Sequence, residues 1–410
     1  MNSIINNFKI ILRTPDPINT YKFTNRPNLI SLILNLYFSF LETKKLNKIL
    51  ILDLIKIIYS YAHLIIFFPL CIILFFFIKI NNLTLLSINT WQIGAFVQQL
   101  DSIIKKNPKK KFLLVSPNYL MAFYSYPKIY NKKNLIYFES IFLYFLIYPL
   151  LVFKLFSTDA FNFEVLNKKS EFNELHQINN YKYNFEKLFK NIKKKKFNKL
   201  ITIHFKDDTF THGSSLRVSN WKTYTKTIKW LLEKNFTVIR FIHRNSVKNI
   251  INHKKYFEIE INNDQDKIQQ MYLIKNSKLF ICNQSGPSSY NFIVKTPFLQ
   301  VNSFPINVSF VCKSKDYLIF KKVLRKNKYI GLKEFFKYNF HLKFSSNVGK
   351  IKGFKLEDNS SSEILNATKD ILLNKKSVYF AKILRKNSIF IPANYSRSKI
   401  PQSFIKFCKS

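Results

Sequence analysis

From residue 200 onward, short runs of β-branched and aromatic residues alternate with amphipathic segments. No other feature restricts the fold as strongly, because this spacing makes a sheet of parallel strands joined by helices. Strands are predicted at Leu200–Phe205, Thr237–Phe241, Leu279–Cys282 and Phe298–Val301, with helices at Trp221–Glu233, Lys267–Lys275 and Ser288–Val294 between them. Ser360 followed three residues later by Glu363 predicts a capped helix ending near Leu373. A shorter alternation precedes these, with strands at Leu83–Ile88, Phe112–Ser116 and Leu135–Phe138 and a helix at Gly94–Ile104. A charged, Asn- and Lys-rich tract over 167–198 separates the two. The expected fold class is therefore α/β, with two Rossmann-like domains. The boundaries read as 1–82, an N-terminal helical region; 83–166, a first domain; 167–198, a linker; 199–375, a second domain; and 376–410, an extension.

The helical region holds the most apolar sequence. From Ile57 to Ile78 no formally charged residue occurs. At 1.5 Å per residue a helix of this length reaches across a hydrocarbon core of ~30 Å. Pro69 stands in its middle, where it would kink a spanning helix or turn a re-entrant hairpin. A second apolar stretch, Ile141–Phe153, is too short to span and also contains a proline. Together they predict a membrane-associated region seated on or in one leaflet; the alternative is that one or both are buried core helices. The first begins too far into the chain for a cleavable signal peptide.

Composition removes several function classes. There are 6 glycines in 410 residues, and no two are spaced to form a dinucleotide fingerprint or a phosphate-binding P-loop. The 4 cysteines stand far apart without a Cys-x-x-Cys pair, which excludes a Cys-based zinc site and a disulfide scaffold and fits a reducing compartment. The formal net charge of +43 attracts anions of every kind. The basic residues are spread along the chain without a nucleic-acid-binding signature, so no nucleic-acid partner is expected.

Two segments bear candidate chemistry. In Phe280–Tyr290, a strand runs through a tight turn into a helix start, where free backbone N–H groups suit a phosphate. Gly286 permits close backbone approach, Pro287 fits the first turn, and Ser285, Ser288 and Ser289 supply hydroxyls. The alternative is an ordinary capped turn. The second segment places His204, Lys206, Asp207 and Asp208 at the carboxyl end of a strand, where open α/β sheets bind ligands. His212, Gly213 and Arg217 follow. A cation here would neutralise charge on a departing diphosphate, with Asp207 or a histidine as base; alternatively this is a solvated loop of mixed charge. Asp264-Gln-Asp266 has the spacing of a metal-holding acidic pair and equally that of acids at a helix start.

Residues 200–335 resemble a group of bacterial glycosyltransferases encoded among genes for surface polysaccharides. The resemblance rests on His204-Phe-Lys-Asp207, Arg217-Val-Ser-Asn-Trp-Lys-Thr-Tyr224, Asn235-Phe-Thr-Val-Ile-Arg240, Ser285-Gly286, Pro297-Phe-Leu-Gln-Val-Asn302, Asp316–Lys321 and Gly331-Leu-Lys-Glu334. In the first domain only Trp91-Gln-Ile-Gly94 matches. The family is similar in architecture to two-domain GT-B enzymes, including fucosyltransferase-like proteins. The resemblance implies a nucleotide-sugar donor held by the second domain, between the halves, and a glycan or lipid-linked acceptor presented from the first domain. It implies no cofactor, a metal-independent transfer, and catalytic domains on the cytoplasmic side. With the two segments above, the candidate catalytic residues are Arg217, Asp207 and His212. The candidate substrate-binding residues are His204, Lys206, Arg240, Ser285, Gly286, Pro287, Ser288, Ser289, Asn302 and Lys321. This sequence departs from the pattern at Lys206, where the family has arginine, at Ala95, where it has histidine, at Val218, where it has asparagine, and at Gln270, where it has aspartate. The competing reading is a membrane-attached binder of anionic polymer or nucleic acid that does no catalysis.

Overall fold

A computed structural model describes residues 55, 58, 61–63, 65–86, 88, 93–117, 121–130, 133–152, 199–207, 215–304, 306, 311, 313–338, 340, 353–386 and 398–408. The chain divides into two units, Met1–Asn162 and Phe163–Ser410. The predicted linker over 167–198 lies outside the described residues.

In the first unit, Pro69 sits in the first turn of α1 (Phe68–Ile80). Its missing N–H would have no intrahelical partner there in any case, so it opens a helix instead of kinking one. Phe67, just before it, is in a turn that ends the preceding helical residues. β1 (Leu83–Leu85), α2 (Ile93–Lys106), β2 (Lys111–Val115), α3 (Tyr126–Tyr130), β3 (Leu135–Phe138) and α4 (Ile141–Val152) follow. The three strands are parallel, in the order β1-β2-β3. Their core is apolar: Phe96, Val97 and Leu100 of α2 and Phe112 and Leu114 of β2 are all buried. α4 keeps Pro149 in its interior. Among the described residues no helix is long and apolar enough to cross a membrane.

The second unit is built on β4 (Leu200–His204), α5 (Lys222–Glu233), β5 (Thr237–Ile242), β6 (Tyr256–Glu260), α6 (Asp264–Lys275), β7 (Leu279–Cys282), β8 (Phe298–Ser303) and β9 (Asp316–Phe320). β10 (Lys322–Arg325), β11 (Lys328–Tyr329), α7 (Leu332–Lys337), β12 (Phe354–Glu357), α8 (Ser361–Leu372), β13 (Ser377–Tyr379), α9 (Phe380–Lys386) and β14 (Lys399–Pro401) complete it. The main sheet has the order β13-β14-β9-β8-β7-β4-β5-β6. It is parallel from β6 through β14, and β13 is antiparallel. β4, β7 and β8 are buried along their whole length, which is why they read as continuous apolar runs rather than alternating ones. The stretch 376–410, read as an extension, instead contributes β13 and β14 to this sheet. β10, β11 and β12 form a separate antiparallel sheet.

The chain runs β4-β5-β6 toward one edge and then returns past β4 to lay down β7, β8 and β9 toward the other. Strand order therefore reverses between β4 and β7. At such a point the connections leave in opposite directions and open a crevice at the carboxyl ends of the two strands. Both chemistry-bearing segments of the sequence follow the carboxyl ends of these two strands.

Candidate functional site

The predicted helix after β7 is a 3-10 helix, Gly286–Phe292. Its serines face inward. The Ser288 hydroxyl donates to the Ser285 carbonyl and accepts the Ser285 N–H at 3.1 Å, and the Ser289 hydroxyl donates to the Gly286 carbonyl at 2.8 Å. The Ser285 hydroxyl lies 3.3 Å from the Cys282 sulfur. These hydroxyls hold the turn together, and Pro287, Ser288 and Ser289 are buried. From Leu279 to Val294, Gly286 is the one residue that is not buried. What this turn offers to solvent is the glycine backbone.

Asn283, completely buried, is the residue that sequence reasoning passed over. Its amide nitrogen donates to the carbonyls of Arg217 at 2.9 Å and Lys206 at 3.3 Å and to the Ser219 hydroxyl at 3.1 Å. Its amide oxygen accepts the Lys206 N–H at 3.1 Å. Ser219 N–H closes the same junction by donating to the Lys206 carbonyl at 2.8 Å. One side chain from the end of β7 thus pins the end of β4 to the turn bearing Arg217. The available signal was its place between a buried strand and the only glycine in the region, where a buried amide must find several partners.

The consequence is electrostatic. Burial lowers Lys206 to about 8, and the nearby Arg217 charge adds to the effect. Burial also lowers Arg217. The two charges, both partly stripped of water, repel one another, and an anion near them would relieve that repulsion. Among the described residues the Arg217 guanidinium has no hydrogen-bond or ion-pair partner, and the residue stays partly exposed. Asp208, His212 and Gly213 lie outside the described residues.

Arg240, expected at the substrate, is wholly buried and engaged elsewhere. Its guanidinium meets Asp207 Oδ2 at 3.2 Å and Glu258 Oε1 at 3.0 Å, donates to the Val247 carbonyl at 2.7 Å, and stacks 4.3 Å over the Phe205 ring. It ties β4, β5 and β6 together at their carboxyl ends and fixes the Asp207 carboxylate, itself 1% exposed. His204 is also buried. Its Nδ1–H donates to the Phe241 carbonyl at 3.1 Å, the tautomer following from the acceptor, and its ring stands edge-on to His243 at 5.4 Å. Burial, then the His243 charge, lowers His204 to about 3, so it is neutral and too weakly basic to take a proton near pH 7. His243 is lowered by burial, with the Asp207 charge opposing.

Lys321 and Asn302 are likewise placed inside the wall. Lys321 Nζ donates to the Val218 carbonyl at 2.8 Å and pairs with Asp358 at 2.7 Å. Asn302 adopts φ 51° where the pairing of β8 with β9 shifts register. This left-handed backbone is held by Asn359 Oδ1, which accepts the Asn302 N–H at 2.7 Å, and by Ser219, which accepts from the Asn302 amide at 3.0 Å. Ser219 therefore links Asn302 to Asn283. The acidic pair of α6 is explained by a helix cap: Asp266 Oδ2 accepts the Asn262 and Asn263 N–H groups at 2.8 and 3.0 Å, and Asn263 Oδ1 accepts the Asp266 N–H at 3.0 Å. α6 consequently starts at Asp264, three residues before the predicted position.

No family model matches the chain, and a search of curated proteins finds no match. Solved structures to which the chain is similar include the following two. The ADP-heptose lps heptosyltransferase II of E. coli is 12% identical with a TM-score of 0.42, over 72% of this chain and 99% of that one. A glycosyl transferase family 9 structure from Veillonella parvula is 10% identical with a TM-score of 0.41, over 72% of this chain and 97% of that one.

Proposed function

We propose that this chain is a membrane-associated glycosyltransferase that takes a sugar from a nucleotide-activated donor and passes it to a glycan or lipid-linked acceptor. The observation that supports it is the junction at the reversal of strand order, where Asn283 ties the backbones of Lys206 and Arg217 together and the Arg217 charge helps to lower Lys206. The donor diphosphate would lie against these two cations and the Gly286 backbone. In glycosyl transfer the leaving diphosphate gains negative charge as the sugar departs, so cations already in place stabilise the transition state more than the ground state. No step needs a metal or cofactor in this reading. Asp207 and His212 remain the proposed bases. Asp207 would act from a position fixed by Arg240, with proton abstraction limited by that ion pair. We place the second unit on the cytoplasmic side of the membrane, in keeping with the free thiols of Cys71, Cys282 and Cys408.

The test is a thermal-shift comparison of UDP-, GDP-, CMP- and ADP-linked sugars against the full chain, since a ligand that binds only the folded state raises its melting temperature. One nucleotide class should stabilise the protein, and Arg217→Ala should remove both that response and sugar transfer while leaving the fold intact. An equal response to polyphosphate and to every nucleotide would favour the anionic-polymer binder. Unchanged turnover in Arg217→Ala would overturn the assignment.

A further inference from the structure

The exposed apolar groups of the described surface are gathered in one place. Fifteen large hydrophobic residues of the first unit are exposed, from Ile55 to Phe142, whereas in the second unit only Tyr329, Leu373 and Tyr379 are. α1 is apolar all round apart from Lys79. Among the described elements it packs on β1 and α4: Cys71 Sγ lies 3.9 Å from the Leu146 carbonyl of α4, and just before the helix His63 and Phe67 pack on Phe145 at 4.4 and 5.9 Å. Away from that stripe Ile65, Ile66, Ile73, Phe76 and Ile80 are between 53% and 80% exposed. A helix that is hydrophobic on every side belongs in an apolar medium, and water-soluble monomers rarely leave such a patch open.

We propose that this surface docks into one leaflet of an anionic lipid bilayer, with α1 lying in the plane of the membrane. Three observations select this occupant. The 13 residues of α1 extend only about 20 Å at 1.5 Å per residue, short of a hydrocarbon core of ~30 Å, so α1 enters without crossing. A second copy of the chain would cover one face, but the exposed positions run through consecutive pairs at 65–66, 72–73 and 76–77 and wrap more than one face; hydrocarbon covers all of them at once. The surrounding charge is complementary to acidic headgroups. Between residues 55 and 152 ten lysines stand against two acids. Of these, Asp101 is buried and Glu139 pairs with Lys128 at 3.3 Å. Basic residues near an anionic surface and apolar side chains beneath it are the two contributions that hold an in-plane helix. The inference is independent of the glycosyl-transfer reading.

The experiment is flotation of the purified full chain with phosphatidylcholine vesicles, with and without phosphatidylglycerol, followed by a 1 M NaCl wash. The wild type is expected to float with the anionic vesicles and to resist the wash once its apolar face is inserted. Ile66→Asp combined with Ile73→Asp should lower partitioning at least ~10-fold. Its melting temperature and nucleotide-sugar binding should be unchanged. Leu373→Asp, at an exposed site of the second unit, should float as the wild type does. A wild type that stays in the aqueous layer with both vesicle types overturns the proposal without reference to any variant. A soluble dimer whose mass is halved by the double substitution would assign the patch to a second copy.

Discussion

The sharpest consequence of the site is a pH dependence that belongs to Lys206. Its side chain is lowered to about 8 by burial and by Arg217. With that value roughly nine-tenths of the protein carries the charge at pH 7 and about one-tenth at pH 9. Only the protonated lysine attracts a diphosphate, so donor affinity is nearly full at pH 7 and is lost as pH rises through about 8. The dissociation constant should increase about tenfold between pH 7 and pH 9 and should level off once the charged contact is gone. The ceiling is the worth of one charge-assisted hydrogen bond, ~1.5–3 kcal/mol or roughly 10- to 150-fold. Lys206→Arg supplies the control, because a guanidinium does not lose its proton in this range; its affinity should be flat from pH 7 to 9.5. Isothermal titration of the stabilising nucleotide sugar at five pH values gives both curves. A wild-type curve as flat as that of the arginine variant, or the same fall in both, would refute the placement of Lys206 at the donor phosphates.

Three further outcomes follow from the buried network. Arg240→Met should destabilise the second unit by about 3–5 kcal/mol in urea unfolding, because it leaves the buried Asp207 and the half-buried Glu258 without their cation. A loss below about 1 kcal/mol would mean the pair behaves as a solvated surface bridge. Asn283→Ala should cost about 1–3 kcal/mol of stability. It should also weaken donor binding, since the backbones of Lys206 and Arg217 lose their common tether; intact affinity at reduced stability would separate the two roles. Gln270 is 1% exposed on α6, and among the described residues neither of its amide atoms has a partner. Gln270→Leu should therefore raise stability by ~1–3 kcal/mol, read as a higher urea midpoint at constant slope.

Much of the second unit was legible because its strands are buried on both faces and so stand out as apolar runs. The Ser360–Glu363 cap is found as predicted, with Ser360 N–H donating to Glu363 at 2.9 Å and Glu363 N–H to the Ser360 hydroxyl at 3.2 Å. β6 escaped notice because two glutamates interrupt the apolar residues of Tyr-Phe-Glu-Ile-Glu at an edge position, and its Glu258 is present to meet Arg240. The short β13 and β14 escaped notice because a three-residue strand at a sheet margin has almost no periodicity to read. At the site, composition and spacing found the right segments but could not say which side chains turn inward. The serines after β7 and the arginine of β5 look like ligand-binding groups in a sequence. Packing makes them the wall, whereas Arg217 and Gly286 stay partly exposed. Asn283, whose role depends wholly on three-dimensional partners, had no signature of its own.

The scarcity of glycine makes the central claim directly measurable. With 6 glycines in the chain, protein labelled with ¹⁵N at glycine alone gives a sparse amide spectrum in which Gly286 is identified by its loss in Gly286→Ala. Titration with the nucleotide sugar that stabilises the fold should move the Gly286 resonance in proportion to occupancy, and Arg217→Ala should abolish the movement. A donor that saturates the protein while the Gly286 amide stays where it was would place the diphosphate somewhere other than the junction of β4 and β7.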